Sequence, residues 1–306
     1  MRHVLEAQQF SRGLIEQLCR RSDELEKLFT DKDRDKLNLL KGRMMFTVFY
    51  EPSTRTRISF NAAAEHLGMR VVSTENAKEF SSAAKGETLE DTIQTLCQYR
   101  PDVIVLRHFE TGAAAKAAAV SSVPILNAGD GTGQHPTQAL LDIYTIKKEL
   151  GKVDDLEVVI GGDLTHGRTA RSLAYLLSKF KNNSLTFLSP KELKIGSDIK
   201  DYLSKHGVKF KETSDMETAL KNADVVYWTR IQKERFDSSK LKQTFVIGKR
   251  EMALMKDKAI VMHPLPRVDE ISKEVDLDPR AAYFRQAGNG MFMRMALIEW
   301  VLQDNG

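Results

Sequence analysis

Apolar residues recur with two periods along the chain, and the alternation between them sets the expected fold. Leu14, Ile15, Leu18, Leu25 and Leu28 follow the three-to-four spacing of a one-sided helix over 11–30. The run MMFTVFY at 44–50 is instead continuously apolar, as a strand covered on both faces must be. Short β-rich runs at 70–73, 103–107 and 123–127 are further strand candidates, and the stretches between them, AAAKAAA at 113–119 included, favour helix. The pattern then restarts. Strands are expected at 156–163, 184–189, 208–210, 223–229 and 259–263, with helices over 168–180, 196–205 and 215–221. Strands alternating with helices specify α/β architecture with mostly parallel sheets. Between the two sets, HPTQALLDIYTIKKEL at 135–150 is an unbroken helical pattern with Pro136 in its first turn, where a missing N–H costs nothing. It is expected to bridge two domains, and GMFMRMALIEWVL at 290–302 to form another apolar helix that packs back. The expectation is two doubly wound α/β domains bridged by helices, covering 1–134 and 135–286, with 287–306 returning to the first.

Length and composition agree with this. A chain of 306 residues fits two domains of about 150 residues each. With 42% apolar and 29% charged residues it has the composition of an ordinary globular protein. Net charge is +4, and Lys and Arg are interspersed with Asp and Glu, which argues against a nucleic-acid surface. The opening MRHVLEAQQF has no apolar core of signal-peptide length, and no stretch reaches the roughly 18 apolar residues of a membrane span. A cytoplasmic location without membrane attachment is expected. Cys19 and Cys97 lack C-x-x-C spacing and are expected to be reduced thiols. No metal-ligand cluster or cofactor motif stands out.

The chemistry collects at strand ends. In YEPSTRTRISF (50–60), a strand gives way to a Ser/Thr-rich turn that opens a helix with Ile58, Ala62 and Leu67 as its apolar face. Such a turn offers unpaired N–H groups and the positive helix end to an anion, and the hydroxyls of Ser53, Thr54 and Thr56 together with Arg55 add donors. SSAAKGETLEDT (81–92) sets Lys85 before another helix. VIVLRH (103–108) delivers Arg107 and His108 at a strand's carboxyl end, where open α/β sheets bind ligands. GDGTGQHPTQALLD (129–142) brings His135 and Gln138 to neighbouring positions at a helix N-terminus, suited to a carbonyl oxygen and an amide. GGDLTHGRTARS (161–172) lacks G-x-G-x-x-G spacing, which disfavours a dinucleotide enzyme, and leaves Arg168 as a guanidinium suited to a carboxylate. TRIQKERF (229–236) contributes Arg230 and Gln232 at i, i+2, followed by Glu234 and Arg235. The prolines of HPLPR (263–267) hold a loop extended, able to offer backbone carbonyls. So many cationic strand ends predict a small ligand with several negative charges, held in a cleft between the domains.

EPSTRTRISF, SSAAKGETLEDT, VIVLRH, NAGDGTGQHPTQALLD, GDLTHGRTARSL, TRIQKERF, HPLPRVDEI and YFRQAGNGMFMRMAL together resemble the carbamoyltransferases across essentially the whole chain. Arg230-x-Gln232 and HPLPR resemble the aspartate branch; ornithine enzymes typically carry Ser-Met-Gly and H-C-L-P elements, and Pro264 stands where that cysteine would be. The resemblance implies the carbamoyltransferase fold, a carbamoyl phosphate-binding first domain, an aspartate-binding second domain, and transfer of a carbamoyl group from carbamoyl phosphate to L-aspartate in pyrimidine biosynthesis. It implies that Ser53, Thr54, Arg55 and Thr56 hold the phosphate, with Arg107 reaching phosphate and carbonyl. Thr56, Arg107 and His135 would polarise the carbonyl, and Gln138 with the backbone carbonyls of Leu265 and Pro266 would take the carbamoyl NH2. Arg168 would bind the aspartate α-carboxylate, and Arg230 and Gln232 the side-chain carboxylate. Ser81 and Lys85 would enter from a neighbouring subunit of a homotrimer with shared active sites. Association with a regulatory chain or a dihydroorotase partner stays open. Two rivals are a carbamoyltransferase for a different amine, opposed by Arg168, Arg230 and Gln232, and a non-catalytic scaffold, opposed by an intact phosphate motif. No Ser-His-Asp arrangement or metal is required, and with no obvious carboxylate base among the motifs, the departing phosphate is the expected proton acceptor.

Overall fold

The apolar runs become two parallel sheets in the computed structural model, which describes residues 1–30, 37–77, 86–232 and 245–303. The chain divides into two units, one of Met1–Leu141 with Asn289–Gly306 and one of Asp142–Gly288.

In the first unit, β1 (Met44–Phe49), β2 (Arg70–Glu75), β3 (Val103–His108) and β4 (Ile125–Asp130) pair in the order β2-β1-β3-β4, all parallel. Helices α1 (Arg12–Thr30), α2 (Thr54–His66), α3 (Leu89–Gln98) and α4 (Ala113–Val120) belong to this unit. Central β1 and β3 and edge strand β4 are almost wholly buried, whereas the other edge strand, β2, is mostly exposed. Phe46, Val48, Ile93, Ile104, Leu106, Ala117 and Ile125 form one core cluster. The buried positions of α2 are Thr56, Phe60, Ala63 and Ala64, with Leu67 beyond its end; Ile58, expected inward, is exposed. The expected stripe of Ile58, Ala62 and Leu67 is therefore rotated, because the bulk of Phe60 decides which face turns inward.

Helix α5 (Pro136–Leu150) runs through the boundary between the units. The second unit holds β5 (Glu157–Gly161), β6 (Ser184–Leu188), β7 (Lys209–Thr213), β8 (Val225–Trp228) and β9 (Ile260–Met262), again all parallel, in the order β7-β6-β5-β8-β9. Around it lie α6 (Arg168–Leu177), α7 (Ser197–Lys205), α8 (Met216–Leu220) and α9 (Lys249–Leu254). Edge strand β7, KFKET, carries the charges that discourage further strand pairing. Helix α10 (Tyr283–Leu302) begins seven residues earlier than its apolar run indicated, and its later turns belong to the first unit. There Phe292 meets Phe29 edge-on at 5.7 Å between ring centroids, and Glu299 pairs with Arg21 at 2.8 Å.

Candidate active site

In each sheet the strand order reverses once, between β1 and β3 in the first and between β5 and β8 in the second. These are the switch points at whose carboxyl ends α/β proteins bind ligands. Phe49 is in register with Arg107, and Gly161 with Trp228, so the turn at 50–56 sits beside Arg107 and the turn at 162–168 beside Arg230 and Gln232.

At the first switch point Ser53 is the N-cap of α2 in extended conformation, yet its hydroxyl makes no capping hydrogen bond. A capping serine normally accepts from the first turn; the Ser53 hydroxyl does not. Thr54 and Arg55 are exposed and Thr56 is buried, and Arg55 has no carboxylate partner among the described residues. Partial burial lowers the Arg55 pKa from its ordinary value, leaving it a cation. Arg57 turns away to pair with Glu75 at 2.7 Å and to donate to Ser73 Oγ at 3.1 Å. Glu75 also accepts the Ser53 N–H at 3.3 Å, so the end of β2 steadies the turn. Arg107 donates through Nη1 to the Ala128 carbonyl at 3.2 Å, and its Nη2 lies 3.3 Å from Glu51 Oε2. Glu51 is a carboxylate at the site that the sequence reading did not assign. His108 is structural: buried against Tyr50 and Phe109, its Nδ1 accepts the Glu110 N–H, and burial holds its pKa below the ordinary value.

His135 and Gln138 are both buried at the start of α5. The loop before them is fixed by Asp130, whose carboxylate accepts the N–H of Gly112 at 2.9 Å and of Gln134 at 3.0 Å, and the Asn127 amide at 3.2 Å. Gly131 has φ +49°, and a Cβ there would fall 2.5 Å from Thr111 Oγ1, so only glycine lets this loop lie against 110–111.

At the second switch point Gly162 has φ +104°, and an added Cβ would approach the Thr229 carbonyl to 2.1 Å. The paired glycines bring two strand ends together instead of cradling a pyrophosphate. Asp163 follows, fully buried. Its carboxylate accepts the His166 N–H at 3.0 Å and the Gln232 N–H at 3.1 Å, and His166 Nδ1 lies 3.1 Å from both of its oxygens. One buried carboxylate thus ties the turn that starts α6, where Arg168 is the first residue, to the segment carrying Arg230 and Gln232. Asp163 is not among the sequence candidates, which are cations suited to an anionic ligand; its signal is an acid directly after a strand-end glycine pair.

The HPLPR loop is built on a second buried pair. His263 Nε2 lies 2.8 Å from Glu270 Oε1, and Glu270 Oε2 accepts the N–H groups of Val268 and Asp269 at 3.1 Å. Burial pushes the Glu270 carboxyl up, but the hydrogen bonds from His263 and the backbone outweigh it and hold the group below its ordinary pKa. Leu265 has φ +55° and precedes a cis peptide to Pro266. Arg267 is structural, paired with Asp276 at 2.5 Å and lying over the Tyr283 ring. Ser81, Lys85, Glu234 and Arg235, singled out in the sequence, lie outside the described residues. No group of three potential metal ligands occurs among the described residues.

Comparison with known proteins places the chain in a family. The family described as aspartate/ornithine carbamoyltransferase, carbamoyl-P binding domain, matches residues 2–148, and the corresponding Asp/Orn binding domain matches 154–301. The chain is 54% identical over 304 residues to a chloroplastic aspartate carbamoyltransferase of Arabidopsis thaliana, covering 98% of this chain and 77% of the relative. It is 45% identical to the aspartate carbamoyltransferase catalytic subunit of Methanocaldococcus jannaschii, covering 100% and 99%. A crystal structure of aspartate transcarbamoylase from Trypanosoma cruzi with carbamoyl phosphate and aspartate superimposes with a TM-score of 0.92 at 43% identity, over 97% of this chain and 95% of that one.

Proposed function

Because the chain belongs to the aspartate/ornithine carbamoyltransferase family, we infer that it transfers the carbamoyl group of carbamoyl phosphate to the amine of L-aspartate. The products are N-carbamoyl-L-aspartate and phosphate, an early step of pyrimidine biosynthesis. The observation that carries the choice of amine is Asp163, which holds the Arg168 turn and the Arg230–Gln232 segment to one carboxylate. Two guanidinium groups and an amide suit a dicarboxylate, whereas ornithine would bring a second ammonium.

Carbamoyl phosphate already contains a good leaving group, so catalysis reduces to aligning an amine with a carbonyl and neutralising charge. In this reading Ser53, Thr54, Arg55 and Thr56 bind the phosphate, and the α2 N-terminus adds its backbone donors. Thr56, Arg107 and His135 stabilise the oxyanion that develops as the amine attacks. Gln138 and the carbonyls of Leu265 and Pro266 accept the carbamoyl N–H groups. Arg168 binds the α-carboxylate, and Arg230 and Gln232 the β-carboxylate. The departing phosphate takes the proton released by the amine, since Glu51 is engaged by Arg107. The rate then follows deprotonation of the substrate amine.

The family resemblance further supports a homotrimer in which Ser81 and Lys85 complete a neighbour's site. The proposed compartment is the cytoplasm, which cell fractionation distinguishes from the chloroplast named for the plant relatives. The deciding experiment incubates the purified protein with carbamoyl phosphate and aspartate or, separately, ornithine. Carbamoyl-aspartate and phosphate formed with aspartate alone support the reading; turnover of ornithine overturns the assignment of Arg168, Arg230 and Gln232.

A further inference from the structure

His263 is the first residue of the loop whose carbonyls are assigned to the carbamoyl amide, and it touches no substrate in that assignment. It is 1% exposed and Glu270 is 4% exposed. The Leu265 N–H donates to His263 Nδ1 at 2.8 Å. A backbone N–H can only donate, so Nδ1 is the unprotonated nitrogen and the ring's proton lies on Nε2, where it is donated to Glu270. The ring is fixed from the backbone side too: the His263 N–H donates to Gln286 Oε1 at 2.9 Å, and Gln286 Nε2 donates to buried Asp142 at 2.7 Å. Both ends of the loop are therefore held by one imidazole–carboxylate pair, its start through Leu265 N–H on Nδ1 and its end through Val268 and Asp269 N–H on Glu270. Leu265 has φ +55°, a conformation a leucine keeps only when its surroundings enforce it.

We propose that His263, oriented by Glu270, is a specificity-determining positioning residue: it holds the peptide carbonyls of Leu265 and Pro266 where they select a transferable group bearing N–H donors. The proposal rests on the assignment of those carbonyls to the carbamoyl NH2. It concerns discrimination between carbamoyl phosphate and an acyl phosphate of the same shape, such as acetyl phosphate, which carries a methyl group in place of the NH2. Misplaced carbonyls cost the carbamoyl group two hydrogen bonds and cost the methyl group almost nothing.

The test compares kcat/KM for carbamoyl phosphate and for acetyl phosphate, both with saturating aspartate, or their competitive inhibition constants where acetyl phosphate turns over too slowly. His263→Gln keeps a donor near Glu270 but removes the acceptor for Leu265 N–H; His263→Asn puts an oxygen close to the Nδ1 position. The preference for carbamoyl over acetyl phosphate is expected to fall about tenfold in His263→Gln, with partial recovery in His263→Asn. A simple loss of folded protein would lower both activities alike and leave the ratio unchanged, and an unchanged ratio in both variants overturns the proposal. If neither variant folds, the isosteric Glu270→Gln gives the same readout, with a lowered ratio expected and an unchanged one overturning the proposal. An unmodified protein that does not distinguish the two phosphates instead refutes the assignment of the Leu265 and Pro266 carbonyls, so the two failures are separable.

Discussion

Replacing Asp163 by Asn tests whether the aspartate side of the reaction depends on one buried carboxylate. The side chain keeps its shape, but of its two oxygens only one remains. In the native protein one oxygen accepts the His166 N–H at 3.0 Å and the other the Gln232 N–H at 3.1 Å, in a residue with no solvent exposure. The new NH2 must face one of these donors, and water cannot reach in to replace the lost acceptor. A charge-assisted hydrogen bond and an unsatisfied buried N–H together amount to about 2–3 kcal/mol. At 1.4 kcal/mol per tenfold, kcat/KM for aspartate falls by about 30–150-fold if the Gln232 segment moves to relieve the clash. Carbamoyl phosphate binding, measured by calorimetry without aspartate, should stay within about twofold, because its phosphate contacts belong to the other unit. Initial rates at varied aspartate, with thermal melting to establish folding, give the answer. A folded variant that keeps aspartate kcat/KM within about threefold, or that loses carbamoyl phosphate affinity to the same degree, would refute the reasoning.

Gly162→Ala should be costlier still: its Cβ would lie 2.1 Å from the Thr229 carbonyl at φ +104°, and melting should drop by about 6–12 °C for a loss of roughly 3 kcal/mol. Arg55→Ala and Lys85→Ala proteins, each inactive, should regain about a quarter of native sites when mixed under conditions of subunit exchange, if sites are shared around a closed ring; no recovery after verified exchange would contradict the shared site. The Asp276 carboxyl is held below the ordinary carboxylate range, first by hydrogen bonding from Arg267 and then by the Tyr283 hydroxyl. Its stabilising contribution is full above the unfolded value near pH 4 and is lost as pH falls through the lower folded value. Urea midpoints should therefore fall less steeply with acidification in Asp276→Asn than in the parent, and identical acid limbs would show that the pair contributes nothing.

Parallel strands covered on both faces announce themselves as apolar runs, which is why β1, β3, β5 and β8 were legible within a residue or two. Helix faces were less legible where a few residues compete: α2 turned on Phe60, and Ile58 was left in solvent. The cationic candidates stood out in the sequence because guanidinium groups at strand ends form a local pattern. The carboxylates that orient them were not. Glu51 and Glu75 act on groups far away in sequence, and Asp130, Asp163 and Glu270 act on backbone N–H groups, which every residue type but proline carries, so side-chain spacing says little about any of them. Arg57 shows the converse case, a motif arginine whose partner Glu75 lies eighteen positions on and only becomes adjacent once β1 and β2 pair.

The first unit is discontinuous in sequence, since the later turns of α10 supply part of its packing. A ribosome making this chain therefore finishes Asp142–Gly288 before it can finish the unit that started first. At roughly 5–20 residues per second, α1 waits on the order of 13–54 s for Phe292 and Glu299 to be synthesised. Until then Phe29 lacks the Phe292 ring and Arg21 lacks Glu299, and the second unit, whose residues are contiguous, is the first with all of its own sequence in hand. Order of synthesis and order of completion are reversed, and the window of exposure falls on the unit that carries the Ser53–Arg57 turn.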